Sequence, residues 1–196
     1  MQFIFDKIEE RDVDFIIMRA FAELSGFTSL FLKKARYPLS SVISIEHSFT
    51  DSELGESDIT VIVAHKNQKL GLLIENKIDA TAMPEQYLRY TYRGERGKQA
   101  GKYDSFAVFL IAPQAYIDSN EEAAKYTNTI SYESILQFFL SVNRLLDAEI
   151  IKSAIKKQAR GYIVQEVPSI TLFWKQLYSY CCSSNTKIEM YPVQGP

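Results

Sequence analysis

Cysteine is nearly missing from this sequence: there are two, Cys181 and Cys182, and they are adjacent. Neighbouring cysteines rarely bridge each other, and two cannot complete a zinc cage. Neither a disulfide framework nor a structural zinc site is expected, and the pair reads as reduced thiols of a cytoplasmic protein. Histidine is as scarce. His47 and His65 lie 18 residues apart, without metal-type spacing, and read as ordinary strand positions. No sign of charge predominates: 22 Lys and Arg stand against 24 Asp and Glu, a formal net charge of −2. That excludes a global positive field, so any contact with nucleic acid falls to a local basic patch. No apolar run approaches the roughly 20 residues that span a bilayer, and no membrane association is expected. The opening MQFIFDKIEERD turns acidic too early for a signal peptide. GxSxG, GxxxxGKS/T and GxGxxG are all missing, which removes elbow-serine hydrolases, P-loop enzymes and dinucleotide folds. There is no internal repeat and no low-complexity linker.

What remains is a chain of 196 residues, 46% apolar, enough for one sizeable core. Residues 12–35 carry helical periodicity, with Ile16, Ala20, Glu23 and Phe27 on one line. Residues 42–49 read as a strand. SDITVIVA and KLGLLIENKI follow as two more, separated by His65-Lys66-Asn67-Gln68, which signals a hairpin. Pro84 suits the first turn of a helix through EQYLRYTYR, and GERGKQAGKYD reads as a loop with three glycines. FAVFLIAP is continuously apolar, as in a strand buried on both faces. A short extended piece near Thr129–Ser131 precedes helices over about 132–146 and 147–163, and ITLFWKQLYSY is one more apolar stretch. The order predicts an α/β domain with a mixed central sheet and a ligand site at one sheet end.

The chemistry concentrates where the third strand stops being apolar, at Glu75-Asn76-Lys77. Residues two apart on a strand share a face, so Glu75 and Lys77 project together. A hairpin turn centred near Asn67 makes opposite positions sum to about 133–135, which brings Asp58 across from the Glu75–Lys77 stretch. Two carboxylates side by side are unfavourable without a cation between them. Hard divalent ions prefer such oxygens and keep several waters, so magnesium or manganese is the expected cofactor. Glu23 is a carboxylate on an otherwise apolar helix line and needs a partner, either metal-bound water or a cation such as Arg19. Gln86 and Tyr90 share one face of the next helix. Downstream, Arg89, Arg93, Arg96, Lys98 and Lys102 form a basic stretch suited to phosphate backbone.

Asp58, a spacer, and Glu75-x-Lys77 on a following apolar strand resemble the PD-(D/E)XK nuclease signature. Gln86-Tyr87-Leu88-Arg89-Tyr90 resembles the QxxxY extension of its RecB-like branch, and Glu23 resembles its helical acidic residue. Ser57 stands where the name-giving proline would be. The resemblance covers about residues 12–135. It implies an αβββαβ restriction-endonuclease-like core over residues 1–135, with residues 136–196 as a C-terminal helical extension of the same domain. It implies metal ligation by Asp58, Glu75 and the Asn76 backbone carbonyl, with Glu23 in support, directly or through water. It implies catalysis by Lys77, and positioning by Gln86 and Tyr90. The expected reaction is metal-dependent phosphodiester hydrolysis, with DNA as substrate by analogy. A nucleic-acid-binding module of the same fold, inactive or awaiting a protein activator, is the alternative. Cutting both strands often takes two sites, so a homodimer stays open as well.

Overall fold

The computed structural model describes residues 3, 5, 7–51, 55–80, 83, 85–160 and 168–183. The chain divides into two compact units, Met1–Gly161 and Tyr162–Pro196. The described part of the second is one helix, α7 (Pro168–Ser183).

The first unit opens with α1 (Glu10–Glu23) and α2 (Ser25–Lys34). A single helix over 12–35 was expected, but the chain breaks at Leu24, which is extended, and α2 leaves at 102° to α1. The break has a packing cause. It turns Phe27 and Phe31 into the core beside Phe21, with ring centroids 5.1 and 4.6 Å from it, and Phe27 also stacks on Phe139. A straight helix would carry Phe31 past that cluster.

Three strands follow: β1 (Ser41–Asp51), β2 (Gly55–His65) and β3 (Gln68–Asn76), all antiparallel. His65 pairs with Gln68, leaving Lys66 and Asn67 as a two-residue turn with Lys66 at φ 53. Then come α3 (Gln86–Gln99), β4 (Ser105–Ala112), a short α4 (Gln114–Ser119) and β5 (Asn128–Ser131). β4 and β5 add in parallel, giving the order β1-β2-β3-β4-β5. The architecture is α/β with a mixed sheet, as the order of elements predicted. α5 (Tyr132–Ser141) and α6 (Leu145–Arg160) complete the unit, separated by a turn in which Asn143 takes φ 58.

The sheet is covered on both faces. Ile59, Val61, Leu72, Ile74 and Phe109 point into the core beneath α1, α2, α5 and α6. Ile62, Leu73, Val108 and Leu110 point the other way, toward Tyr90 of α3. Pro84 and the side chain of Ser57 lie outside the described residues.

The loop expected from residue 94 is instead the second half of α3. Its glycines allow close approach to the sheet. A Cβ at Gly94 would sit 2.3 Å from the Phe106 ring, and one at Gly97 only 2.1 Å from the Tyr103 hydroxyl. Alanine favours a helix over glycine by about 1 kcal/mol, but the overlap with Phe106 wins here. Gly94→Ala is expected to destabilise the protein by about 1–3 kcal/mol, and adding Phe106→Leu should recover part of that loss. Urea denaturation of the two variants checks it; a stabilised Gly94→Ala would show that α3 does not sit this close.

Candidate active site

β3 runs out of apolar residues where it runs out of sheet. Alternation sends Leu73, Glu75 and Lys77 toward α3, and Ile74, Asn76 and Ile78 toward α1. On β2 the residues facing α3 are Asp58, Thr60 and Ile62. The register pairs Ile59 with Ile74, so Asp58 comes level with Glu75 one step further along. A hydrogen bond closes that step: the Asn76 N–H donates to Asp58 Oδ2 at 2.8 Å. Tyr90, wholly buried on α3, ties the same two strand ends together. Its hydroxyl accepts from the Asp58 N–H at 3.1 Å and donates to the Ile74 carbonyl at 3.3 Å.

Glu75 is 2% exposed, so its charge is not a solvated surface charge. Lys77 Nζ lies 2.7 Å from Glu75 Oε1, and Gln86 Nε2 donates to that same oxygen. The Gln86 carbonyl oxygen in turn accepts from the Met83 N–H. Lys77 is itself fixed from behind, its N–H donating to the Ile111 carbonyl at 3.0 Å.

The electrostatics follow from this crowding. Burial, and then the charge of Glu75, push the Asp58 carboxyl up to about 8, against the pull of the Asn76 N–H. Burial works to lower the Lys77 ammonium, but the carboxylates of Glu75 and Glu10 outweigh it and hold Lys77 above its usual range. Burial, with the charges of Glu75 and Asp58, keeps Tyr90 a neutral phenol.

The weakened acidity of Asp58 has a measurable consequence. In the unfolded chain an aspartate releases its proton near pH 3.9; in the native protein Asp58 keeps it to about 8. Between those values folding takes up a proton, so stability is lost as pH rises through that window. The loss should reach a few kcal/mol in EDTA. Asp58→Asn keeps an acceptor for the Asn76 N–H and should flatten the slope. Melting curves at the two ends of the window test this; identical slopes for both proteins would refute it.

The opposite face of β3 is equally polar. Asn76 is fully buried, and its Nδ2 donates to the Glu10 carbonyl at 2.9 Å and to Asp14 Oδ1 at 2.8 Å. Its Oδ1 accepts from the Tyr132 hydroxyl on α5. Asp14 also meets His47 Nε2 at 3.2 Å. Burial raises the Asp14 carboxyl, and Asn76 and His47 pull it back. Glu10 accepts from the Ile78 N–H at 2.9 Å, and its other oxygen is 3.8 Å from Lys77 Nζ. Thus α1 presents two carboxylates to the end of β3.

Residues 1–164 match the family model of the PD-(D/E)XK nuclease superfamily. The chain belongs to that superfamily. Searches of curated proteins and of solved structures return no match. The mixed sheet and its flanking helices fit the restriction-endonuclease-like fold of the superfamily.

In this PD-(D/E)XK chain the structure gathers Asp58, Glu75, Lys77, Gln86 and Tyr90 at one sheet end. Glu23 is not with them. It closes α1, about 20 Å of helix away from Glu10, and pairs with Arg144 at 2.7 Å in a half-exposed position. Arg19, the cation offered as an alternative partner for Glu23, instead bonds to Asp147. The carboxylates that α1 brings to the site are Glu10 and Asp14. Their signal was of the same kind as the one taken for Glu23, because Glu10, Asp14, Ile17 and Phe21 also follow i, i+4, i+7, i+11. The break at Leu24 removes Phe27 from the line that had singled out Glu23.

The basic stretch is not one surface either. Arg93 is buried, with its guanidinium 4.0 Å over the Tyr90 ring, where it braces that tyrosine and cannot face a phosphate backbone. Arg96 and Lys98 are exposed on α3, Arg89 is half-buried, and Lys102 lies 3.8 Å from Glu46.

The donor set suits a hard divalent cation. Two carboxylates, Asp58 and Glu75, lie close together at a cost that shows in the weakened acidity of Asp58, and such oxygens suit a hard ion. The N–H and C=O of a strand residue point to the same side, so the Asn76 carbonyl opens toward Asp58 as its N–H does. Among the described residues no three His, Cys, Asp or Glu side chains converge. Such an ion would therefore take two carboxylates, a backbone carbonyl and waters, a mix that magnesium accepts.

Proposed function

We propose that this chain is a metal-dependent nuclease that hydrolyses phosphodiester bonds in DNA, with its active site at Asp58, Glu75 and Lys77. One observation carries the reading: a buried glutamate and an aspartate on adjacent strands, with an ammonium 2.7 Å from the glutamate. A purely structural ion pair does not call for the second carboxylate, whose proximity is unfavourable by itself.

Asp58, Glu75 and the Asn76 carbonyl would hold magnesium or manganese. When bound, the ion polarises the phosphate and acidifies water. Lys77 is cationic through the working pH range. It donates hydrogen bonds to the attacking water and offsets the charge that builds on the phosphate. Gln86 fixes one oxygen of Glu75 and so leaves the other to the ion. Tyr90 holds β2 and β3 in register where the two acids meet. These two residues match the QxxxY pattern of the RecB-like branch, to which we assign the chain. We assign contact with the substrate's phosphates to Arg96 and Lys98, which are exposed on the same helix.

Supercoiled plasmid, linear duplex, single-stranded DNA and RNA, each incubated with manganese, magnesium or EDTA, test the proposal. DNA cleavage that requires the ion is expected. Intact substrates throughout, from folded protein whose melting temperature rises with the ion, would overturn it and leave a binding module of the same fold.

A further inference from the structure

A groove lies between the N-terminal segment and α6, apart from the acids of β2 and β3. Its wider part, about 570 Å³, is lined by Phe3, Phe5, Ser153, Lys156 and Arg160, with Glu149 at its edge. A narrower hollow of about 160 Å³ shares Phe5, Ser153 and Arg160 and continues past Lys7 and Lys157. Lys157 Nζ accounts for where it ends. It donates to the Ile8 carbonyl at 3.0 Å and lies 3.5 Å from Asp79 Oδ1, two residues beyond Lys77.

Three features make this a built surface. Lys156 and Arg160 are four apart on α6, share a face and are exposed. Among the described residues the carboxylates nearby are already engaged: Glu149 with Lys152 at 2.9 Å, and Glu9 with Lys7 at 2.6 Å and Lys157 at 3.6 Å. Among the described residues Lys156 and Arg160 are thus left as an excess of positive charge at the groove, in a chain whose net charge is −2. Finally, Phe3 and Phe5 contribute half-buried aromatic rings beside those cations.

We propose that this groove binds single-stranded nucleic acid and leads it to the cluster at Glu75 and Lys77. Cations at a groove wall pair with phosphates, and aromatic rings beside them stack on unpaired bases. A duplex keeps its base faces covered and has nothing to offer the rings. The identity of the ligand rests on the nuclease reading; the groove itself does not.

The test is fluorescence anisotropy in EDTA, where nothing is cleaved, with a labelled single strand of about 15 nucleotides. The comparisons are a blunt duplex and an abasic strand of the same length. The single strand should bind about tenfold more tightly than either. Lys156→Glu with Arg160→Glu should weaken single-strand binding at least tenfold and reduce the slope of log affinity against log salt by about 1.4. Both side chains are exposed, and an unchanged melting temperature shows that the variant folds. Single-strand affinity unchanged in the double variant overturns the groove. Abasic and normal strands binding equally well, or polyglutamate competing as effectively as the oligonucleotide, overturns it too. The two readings fail separately. Metal-dependent cleavage with single-strand binding indifferent to the double variant removes the groove alone. Single-strand binding that the double variant abolishes, without cleavage under any metal, removes the nuclease alone.

Discussion

Replacing Lys77 with methionine is expected to slow phosphodiester cleavage by about 10²–10⁴ while leaving ion binding at least as strong as before. The two halves of that result have different origins. The ammonium sits 2.7 Å from Glu75 and 3.8 Å from Glu10, and these carboxylates hold it protonated. A group so held gives hydrogen bonds and positive charge and does not accept a proton from water, so its loss falls on the reaction step. Toward a divalent ion, by contrast, it is a competing cation at the same carboxylate. Methionine keeps the aliphatic stem and removes the competitor. At an ion concentration near 100 times Kd, the wild-type protein should gain about 2.7 kcal/mol, or roughly 5–10 °C in melting temperature. The variant should show that gain or a larger one. A variant that loses both cleavage and the thermal shift would mean that Lys77 organises the ligands, and that the lysine and the carboxylates do not divide the labour in this way.

The second large effect concerns stability. Asn76→Ala should cost about 3–5 kcal/mol, because one side chain serves three partners on two helices. Its removal leaves the Asp14 carboxylate, the Glu10 carbonyl and the Tyr132 hydroxyl short of a hydrogen bond, two of the three bonds being buried. Each such orphan costs about 1–3 kcal/mol. Tyr132→Phe removes a single bond and should cost nearer 1 kcal/mol. The double variant should cost less than the sum, since both delete the same contact. Urea denaturation with an unchanged m-value gives the comparison. A loss below about 1 kcal/mol for Asn76→Ala would show that water or a rearranged α1 replaces the amide.

Much of this arrangement was readable before any coordinates, and the reason is periodicity. A two-residue turn at Lys66-Asn67 makes paired positions sum to 133, inside the expected range, so the approach of Asp58 to the Glu75–Lys77 stretch followed from counting, and the register narrows it to Glu75. The face shared by Gln86 and Tyr90 followed from helix geometry in the same way. What failed was information held by residues distant in the chain. The glycines at 94 and 97 look like a loop until Phe106 and Tyr103 are seen against them. Glu23 looked like the helical acid because nothing local announces that Leu24 ends the helix; the cause is an aromatic cluster that includes Phe138 and Phe139. Arg93 reads as a phosphate contact in sequence and lies beneath the surface in the fold, over Tyr90.

Asn76 has one further consequence, concerning time. Its main chain faces Asp58, while its side chain is knotted into α1 and α5. The residue between the two charged groups of the site is thus held by the same bonds that hold the sheet to its helices. Local openings, which in most proteins expose loop-borne sites many times a second, do not reach such a position without breaking the core. The amide hydrogen of Asn76 should exchange with solvent among the slowest in the molecule, at a rate set by global unfolding. A substrate would then meet a site that is already assembled.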